Sequence, residues 1–252
     1  EIIFMKETLK KFHKSVEGDI AEKLGYKLQE ISTNDVNNFY SSFLGDFSRV
    51  FMRTNILRII DDSPVPIHNL WVDKNQKYFT ENLETLTNVS NDPMKTWTYF
   101  YSRPPHPPFI FNEDGSKNLS ANPYNTFSED LSDSWTNEEK ENFIKQLKYV
   151  NETILEAIRL IISNSNNVII IIHSDHGVTN MSGKDKLTDG TLPNEIYEEL
   201  FSTISYIYYP DYCTKKGGQI KTNINIIPSV LRSCFNIELD NKYKKQLQKS
   251  DK

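Results

Sequence analysis

The sequence predicts an α/β protein built around a mostly parallel sheet. Two observations carry this. Val168-Ile-Ile-Ile-Ile172 is an unbroken β-branched run, as expected of a strand buried on both faces of a parallel sheet. It follows an amphipathic stretch, Phe143, Leu147, Val150, Ile154, Ile158 and Ile161, across the short link Asn164-Ser-Asn-Asn167. Helix, tight loop and buried strand make half of a βαβ unit.

The elements are read in chain order. Leu9, Phe12, Val16, Ile20 and Leu24 recur at helical spacing, so a helix is expected from Leu9 to about Leu28, with Gly25 as its stop signal. A second helical stretch is expected from Asp35 to about Ile60, ended by Ser63-Pro-Val-Pro66, because a residue before proline is pushed out of the α region. Trp97 to Tyr101 is aromatic and reads as a strand, followed by the stiff loop Arg103-Pro-Pro-His-Pro-Pro-Phe109. The polar stretch Asn112 to Asn137 reads as a surface excursion. Thr136 and Glu139 have the spacing of a capping box at the start of the long helix. A strand is expected over Thr203 to Tyr208 and a helix beginning near Pro228. Asn-x-Ser/Thr tripeptides such as Asn88-Val-Ser and Asn151-Glu-Thr are read as products of the Asn-rich composition.

Composition narrows the function classes. With 252 residues, 37% hydrophobic and 25% charged, the chain can bury a core as one large domain or two small ones. A formal charge of -5 argues against a nucleic-acid binder, which concentrates Lys and Arg. The longest purely aliphatic run, Val168 to Ile172, is far short of the ~20 residues that span a bilayer, so no membrane span is expected. Cys213 and Cys234 lack the Cys-x-x-Cys spacing of a zinc or redox site and decide nothing about compartment. The chain opens at Glu1 with neither a signal nor a transit pattern and is read as a piece of a longer protein.

The sharpest chemical signal is His173-Ser-Asp-His-Gly177, directly after the buried run. Strand carboxyl ends are where open α/β sheets bind ligands. There either Asp175 caps a turn and His176 is a surface residue, or the two offer a carboxylate oxygen and an imidazole nitrogen to one divalent cation, with side chains expected within about 5 Å of each other. Gly177 is expected to let the backbone turn away sharply. His106, with prolines on both sides, is either exposed in a polyproline-like loop or a rigidly presented imidazole that hydrogen-bonds an anionic oxygen. In the second case it should face the same crevice, within about 15 Å of Asp175. His13 and His68 are read as structural or solvated, and His173 as pointing back toward the strand face. No nucleophile elbow, Walker-type loop, His-Glu-x-x-His or EF-hand loop is present.

Three segments stand out together and in order: Pro105-His-Pro-Pro-Phe109 with Asn112-Glu-Asp-Gly115; Ser174-Asp-His-Gly177; and Ile204-Ser-Tyr-Ile-Tyr-Tyr-Pro210 with Asn223-Ile-Asn-Ile-Ile-Pro-Ser-Val-Leu231. Their order and spacing resemble the alkaline phosphatase and sulfatase superfamily, in the sulfatase-like branch that includes lipoteichoic acid synthases and phosphoethanolamine transferases. The resemblance covers roughly Lys95 to Leu239, with Leu24-Gly-Tyr26 as a weaker upstream match. Asn225 stands where the family usually has Asp, and Ser229 where it usually has Thr.

The resemblance implies an α/β/α sandwich with an alkaline-phosphatase-like, mostly parallel central sheet, incomplete at the amino terminus. It implies a mainly helical segment over 1–94 continuing a missing amino-terminal half, a sulfatase-like core over 95–240 and a polar tail over 241–252. Asp175 and His176 would bind one metal, manganese or zinc in preference to calcium, because sulfatases usually have Asn at the place of His176. The two-zinc branch needs a further downstream His, and none follows His176. His106 would contact substrate. The family's nucleophile, a Thr, Ser or modified Cys, lies on an early strand before the Gly-Tyr segment, so the resemblance implies that it lies upstream of Glu1; neither cysteine here sits in the Cys-x-Pro-x-Arg pattern of a sulfatase nucleophile.

The expected activity is hydrolysis or transfer at phosphate, less readily sulfate, esters of a small molecule, glycan or lipid. An extracytoplasmic or membrane-anchored setting through a missing segment follows from the same resemblance. The alternative is a truncated or degenerate family member serving as a binding or structural domain.

Overall fold

A computed structural model of the chain describes residues 15–32, 67–121, 135–178, 198–199, 201–213 and 223–238. They mix helix and strand, with one small parallel sheet. They fall into two compact units: Glu1–Leu131 with Trp135–Asn164, and Ser132–Ser134 with Ser165–Lys252. Among the described residues no helix is long and apolar enough to cross a membrane.

In the first unit, Ser15 caps helix α1 (Val16–Lys23) by accepting a hydrogen bond from the Gly18 N–H at 3.0 Å. The helix ends earlier than the expected Leu28, because Gly25 adopts φ 81, the left-handed conformation that closes a helix. The chain then enters a strand that the periodicity did not predict, β1 (Lys27–Ser32). The beginning of the first expected helix, Leu9 to Lys14, and the whole stretch Asp35 to Ile60 lie outside the described residues. Helix α2 (Ile67–Asn88) buries Val72, Phe79 and Leu83 on one face. After it, β2 (Thr96–Tyr101) forms where the aromatic run predicted a strand. It pairs parallel with β1, from Lys27↔Thr96 to Ser32↔Tyr101.

The capping box of α3 (Asn137–Asn164) is formed in both directions. The Glu139 N–H donates to Thr136 Oγ1 at 3.2 Å, and the Thr136 N–H donates to Glu139 Oε2 at 2.8 Å. The face that this helix buries is Phe143, Gln146, Val150 and Ala157, whereas Leu147, Ile158 and Ile161 flank it half-buried. The core joins Val72, Phe79 and Leu83 of α2 to Val150 and Ala157 of α3 through Ile110, Phe111 and Ala121. Phe111 lies 5.3 Å from Phe79 and 4.7 Å from Tyr149, ring centre to ring centre.

The first part of the expected surface excursion is therefore structural. Asn118 and Ala121 are buried, Phe111 bridges to Lys117, and residues 122–134 lie outside the description. Polarity misled here because Asn118 is buried with its amide satisfied, donating to the Phe109 carbonyl at 2.8 Å.

In the second unit, β3 (Ile170–His173) begins two residues later than expected and pairs with β4 (Ser205–Tyr208). The pairing is antiparallel, from Ile170↔Tyr208 to His173↔Ser205, and Ile170, Ile171 and Ile172 are half-buried. The expectation of a parallel partner is thus corrected among the described residues. An apolar β-branched run reports burial and strand propensity; it does not encode the direction of its neighbour. A 3₁₀ turn, Asn223–Asn225, leads into α4 (Ile226–Phe235), whose buried face is Ile226, Ser229, Val230, Leu231 and Ser233. Pro228 sits in its first turn, where its missing N–H costs no helical bond. Asn236, at φ 55, closes the helix. Cys213, after β4, is disulfide-bonded to Cys234 in α4.

Candidate functional site

The Asp175–His176 turn is anchored by the residue before it. The Ser174 N–H donates to the Ile204 carbonyl at 3.1 Å, its hydroxyl oxygen accepts from the Ile204 N–H at 3.0 Å, and its carbonyl accepts from Asn223 Nδ2 at 2.7 Å. Ser174 thereby ties three separate stretches of the second unit together, with Asp175 and His176 following at once. Gly177 does not supply a left-handed turn; positive φ among the described glycines occurs at Gly25 and Gly115. Its constraint is space, because a Cβ at Gly177 would collide with the Glu199 carbonyl oxygen and come within 2.9 Å of that of Ser202.

Within the turn, Asp175 Oδ1 accepts from the His176 N–H at 3.0 Å, and His176 Nδ1 lies 2.6 Å from the Gly177 carbonyl oxygen. A carbonyl accepts only, so Nδ1 carries the proton in that contact and Nε2 carries the lone pair. Nε2 is 3.9 Å from Asp175 Oδ1. Two ligands at about 2.1 Å from one ion stand at most about 4.2 Å apart, so the separation of this pair is compatible with a shared cation only at a wide ligand–metal–ligand angle. The imidazole is oriented as metal-binding histidines are, with its other nitrogen on a backbone carbonyl. The Asp175 side chain is 86% exposed, so the His176 N–H and not packing holds its position. Among the described residues no cluster of three or more His, Cys, Asp or Glu side chains could hold a metal, so these two ligands would share the ion with water.

His106 belongs to the first unit. Its loop closes as a turn, the His106 N–H donating to the Arg103 carbonyl at 2.8 Å, instead of running on as an extended polyproline segment. The ring is exposed, and its Nδ1 lies 2.7 Å from the Pro107 carbonyl oxygen. Directly after it the chain dives inward: Phe109, Ile110 and Phe111 are buried. Phe109 packs edge-on to Trp135 and Phe143, with centroids 5.3 and 5.9 Å away.

His173, at the end of β3 opposite Ser205, is exposed. His13 lies outside the described residues, as does the side chain of His68 on α2. The disulfide between Cys213 and Cys234 removes both sulfurs as thiolate nucleophiles in this state.

The residues that sequence reasoning missed are polar side chains in the core. Asn118 and Gln146 both bond the backbone that follows His106. The signal for Gln146 was present: it stands between Phe143 and Val150 on the apolar stripe of α3. Compared with protein-family models, with curated proteins and with solved structures, the chain gives no match.

Proposed function

We propose that the chain is part of a metal-dependent, sulfatase-like phosphoesterase or phosphotransferase of the alkaline phosphatase superfamily, completing an α/β/α sandwich. In this reading Asp175 and His176 hold one divalent cation, manganese or zinc in preference to calcium, since an imidazole ligand suits those ions better. The ion would polarise a phosphate or, less readily, sulfate ester of a small molecule, glycan or lipid. His106 would hydrogen-bond the substrate or leaving group, and no residue of this chain is assigned as nucleophile. An oxidising, extracytoplasmic setting fits the Cys213–Cys234 disulfide.

The single observation that carries the reading is the paired geometry at the end of β3, an imidazole Nε2 and a carboxylate oxygen 3.9 Å apart on a turn anchored through Ser174. It is supported by contact between two of the three segments that carry the resemblance, the Asn223 amide on the Ser174 carbonyl.

The test is manganese binding to the purified chain, followed by loss of the free-ion paramagnetic resonance signal. One site per chain is expected, displaced by zinc and weakened at least about tenfold in Asp175→Ala and His176→Ala. Binding that neither substitution changes would remove the metal assignment.

A second reading, a non-catalytic binding domain of the same family, is favoured by the two-ligand set. The arms separate on turnover. Release of nitrophenol from model phosphate esters is expected to be absent from this chain alone, because losing a member of a catalytic unit costs orders of magnitude in rate. Metal-dependent turnover abolished by Asp175→Ala would place the nucleophile within the chain.

A further inference from the structure

Gln146 is fully buried in the middle of α3, among Phe143, Val150 and Ala157. A primary amide removed from water is costly unless its donors and acceptors are paired. This one uses its whole capacity. Oε1 accepts from the Ile110 N–H at 2.8 Å and the Phe111 N–H at 3.2 Å. Nε2 donates to the Pro105 carbonyl at 3.1 Å and the His106 carbonyl at 3.4 Å. Two lone pairs and two N–H groups are all that a glutamine side chain possesses.

The four partners flank Pro107, Pro108 and Phe109, so one side chain fastens both ends of the segment that begins at His106. Two further carbonyls of the segment are taken by other buried or half-buried amides: Phe109 by Asn118 at 2.8 Å, Ile110 by Gln76 at 2.9 Å. His106 and Pro107 are joined by the peptide whose carbonyl Gln146 holds, and the next carbonyl, that of Pro107, faces the imidazole Nδ1 at 2.7 Å.

We propose that Gln146 is the positioning residue for the His106 imidazole. By fixing the His106 carbonyl, it sets the Pro107 carbonyl where it captures the ring's Nδ1–H, which leaves the lone pair of the neutral ring on Nε2. Neutral His106 then accepts a hydrogen bond from a hydroxyl at Nε2. Once protonated there, it donates to an anionic oxygen while Nδ1–H stays on Pro107. The consequence for a substrate rests on the phosphoester reading above; the tautomer does not.

The experiment is nitrogen-15 NMR of the histidine rings in the full chain, with no metal or substrate. In the wild type His106 is expected as the Nδ1–H tautomer, with the Gln146 side-chain amide protected from exchange at least about tenfold relative to solvent-exposed glutamines. Gln146→Met removes all four bonds at similar volume. Gln146→Glu keeps the acceptors for Ile110 and Phe111 but loses the donors to Pro105 and His106. Both are expected to shift the His106 tautomer ratio toward Nε2–H by roughly five- to tenfold, the worth of about one hydrogen bond, while the rings of His173 and His176 stay unchanged.

An unprotected Gln146 amide, a wild-type Nε2–H tautomer, or a His106 ring unmoved in a folded variant overturns the proposal. So does unfolding of both variants, which would make Gln146 a residue for folding and not for positioning. Failure here leaves the manganese result at Asp175 and His176 untouched, and failure of that result leaves the tautomer standing.

Discussion

The bond between Cys213 and Cys234 spans a sequence separation of 21 and joins the end of the β4 segment to the last turn of α4. Closing a loop of that length removes chain entropy from the unfolded unit worth about 3 kcal/mol. That corresponds to roughly a hundredfold change in the opening equilibrium. The effect should concentrate in α4, whose buried face includes Ile226, Val230 and Leu231 and whose carboxyl end carries Cys234. A denaturation midpoint for the whole chain would blur it, because two units need not unfold together. Amide hydrogen exchange, resolved by residue, is the suitable assay. In the oxidised protein the slowest α4 amides are expected to exchange roughly a hundredfold more slowly than in the same protein reduced. The double substitution of both cysteines by alanine should match the reduced state, with a further loss for the sulfur of Cys213, which is 5% exposed. Amides of α3, in the other unit, serve as the internal control. Equal α4 protection in oxidised and reduced protein, or two titratable thiols in protein purified without reductant, would refute the reasoning.

Two further outcomes test the first unit. Gly115 combines φ 80 with a Cβ position only 2.5 Å from the Tyr149 ring, and that ring is itself packed on Phe111 and Phe79; Gly115→Ala should therefore cost about 2–4 kcal/mol, from left-handed strain and overpacking together, read as a lowered urea midpoint, and a loss below 0.5 kcal/mol contradicts the packing described here. Thr136→Ala removes the hydroxyl that accepts from the Glu139 N–H and should cost ~1 kcal/mol, visible as faster exchange in the first turn of α3, whereas Glu139→Gln, which retains an acceptor for the Thr136 N–H, should cost less; equal losses would show that the reciprocal box is not the stabilising feature.

What could be read from the sequence was local. The Thr136–Glu139 box, the aromatic strand at Trp97 to Tyr101 and the position of Asp175 and His176 just after a strand depend on residues a few positions apart, and these local features formed, although that last strand is shorter than expected and half-buried. What escaped depends on partners far along the chain. Lys27–Ser32 shows no clean alternation, and becomes a strand because Thr96–Tyr101 lies beside it. The antiparallel direction of β4 against β3 is likewise a property of the returning chain. Gln146 and Asn118 were missed for a different reason: side-chain type biases a polar residue toward the surface, while its burial is decided by whether hydrogen-bonding partners from elsewhere in the chain surround it. Gly177 was noticed for the right position and the wrong cause, since conformational freedom is legible in sequence and a carbonyl pressing from Glu199 is not.

The two candidate sites are built on opposite principles, and this bears on how each would act. The backbone around His106 is fixed before any ligand arrives, by buried amides whose hydrogen-bonding capacity is taken up by the loop itself. An imidazole held so would lose little further freedom on meeting a substrate oxygen, so in the proposed function its contribution would be mainly orientation. The Asp175–His176 pair is the reverse. Its turn is anchored through Ser174, yet the carboxylate is 86% exposed and no packing fixes it. A cation there must itself order the Asp175 side chain and displace its water, and it gains only two protein ligands in return. Such a site would bind an ion weakly and exchange it readily. Its affinity is therefore the quantity most sensitive to any additional ligand, whether a phosphate oxygen of the substrate or a side chain outside the described residues. A phosphate ester that bridges the ion would raise metal affinity and substrate affinity by the same factor, because coupling between two ligands on one protein is reciprocal.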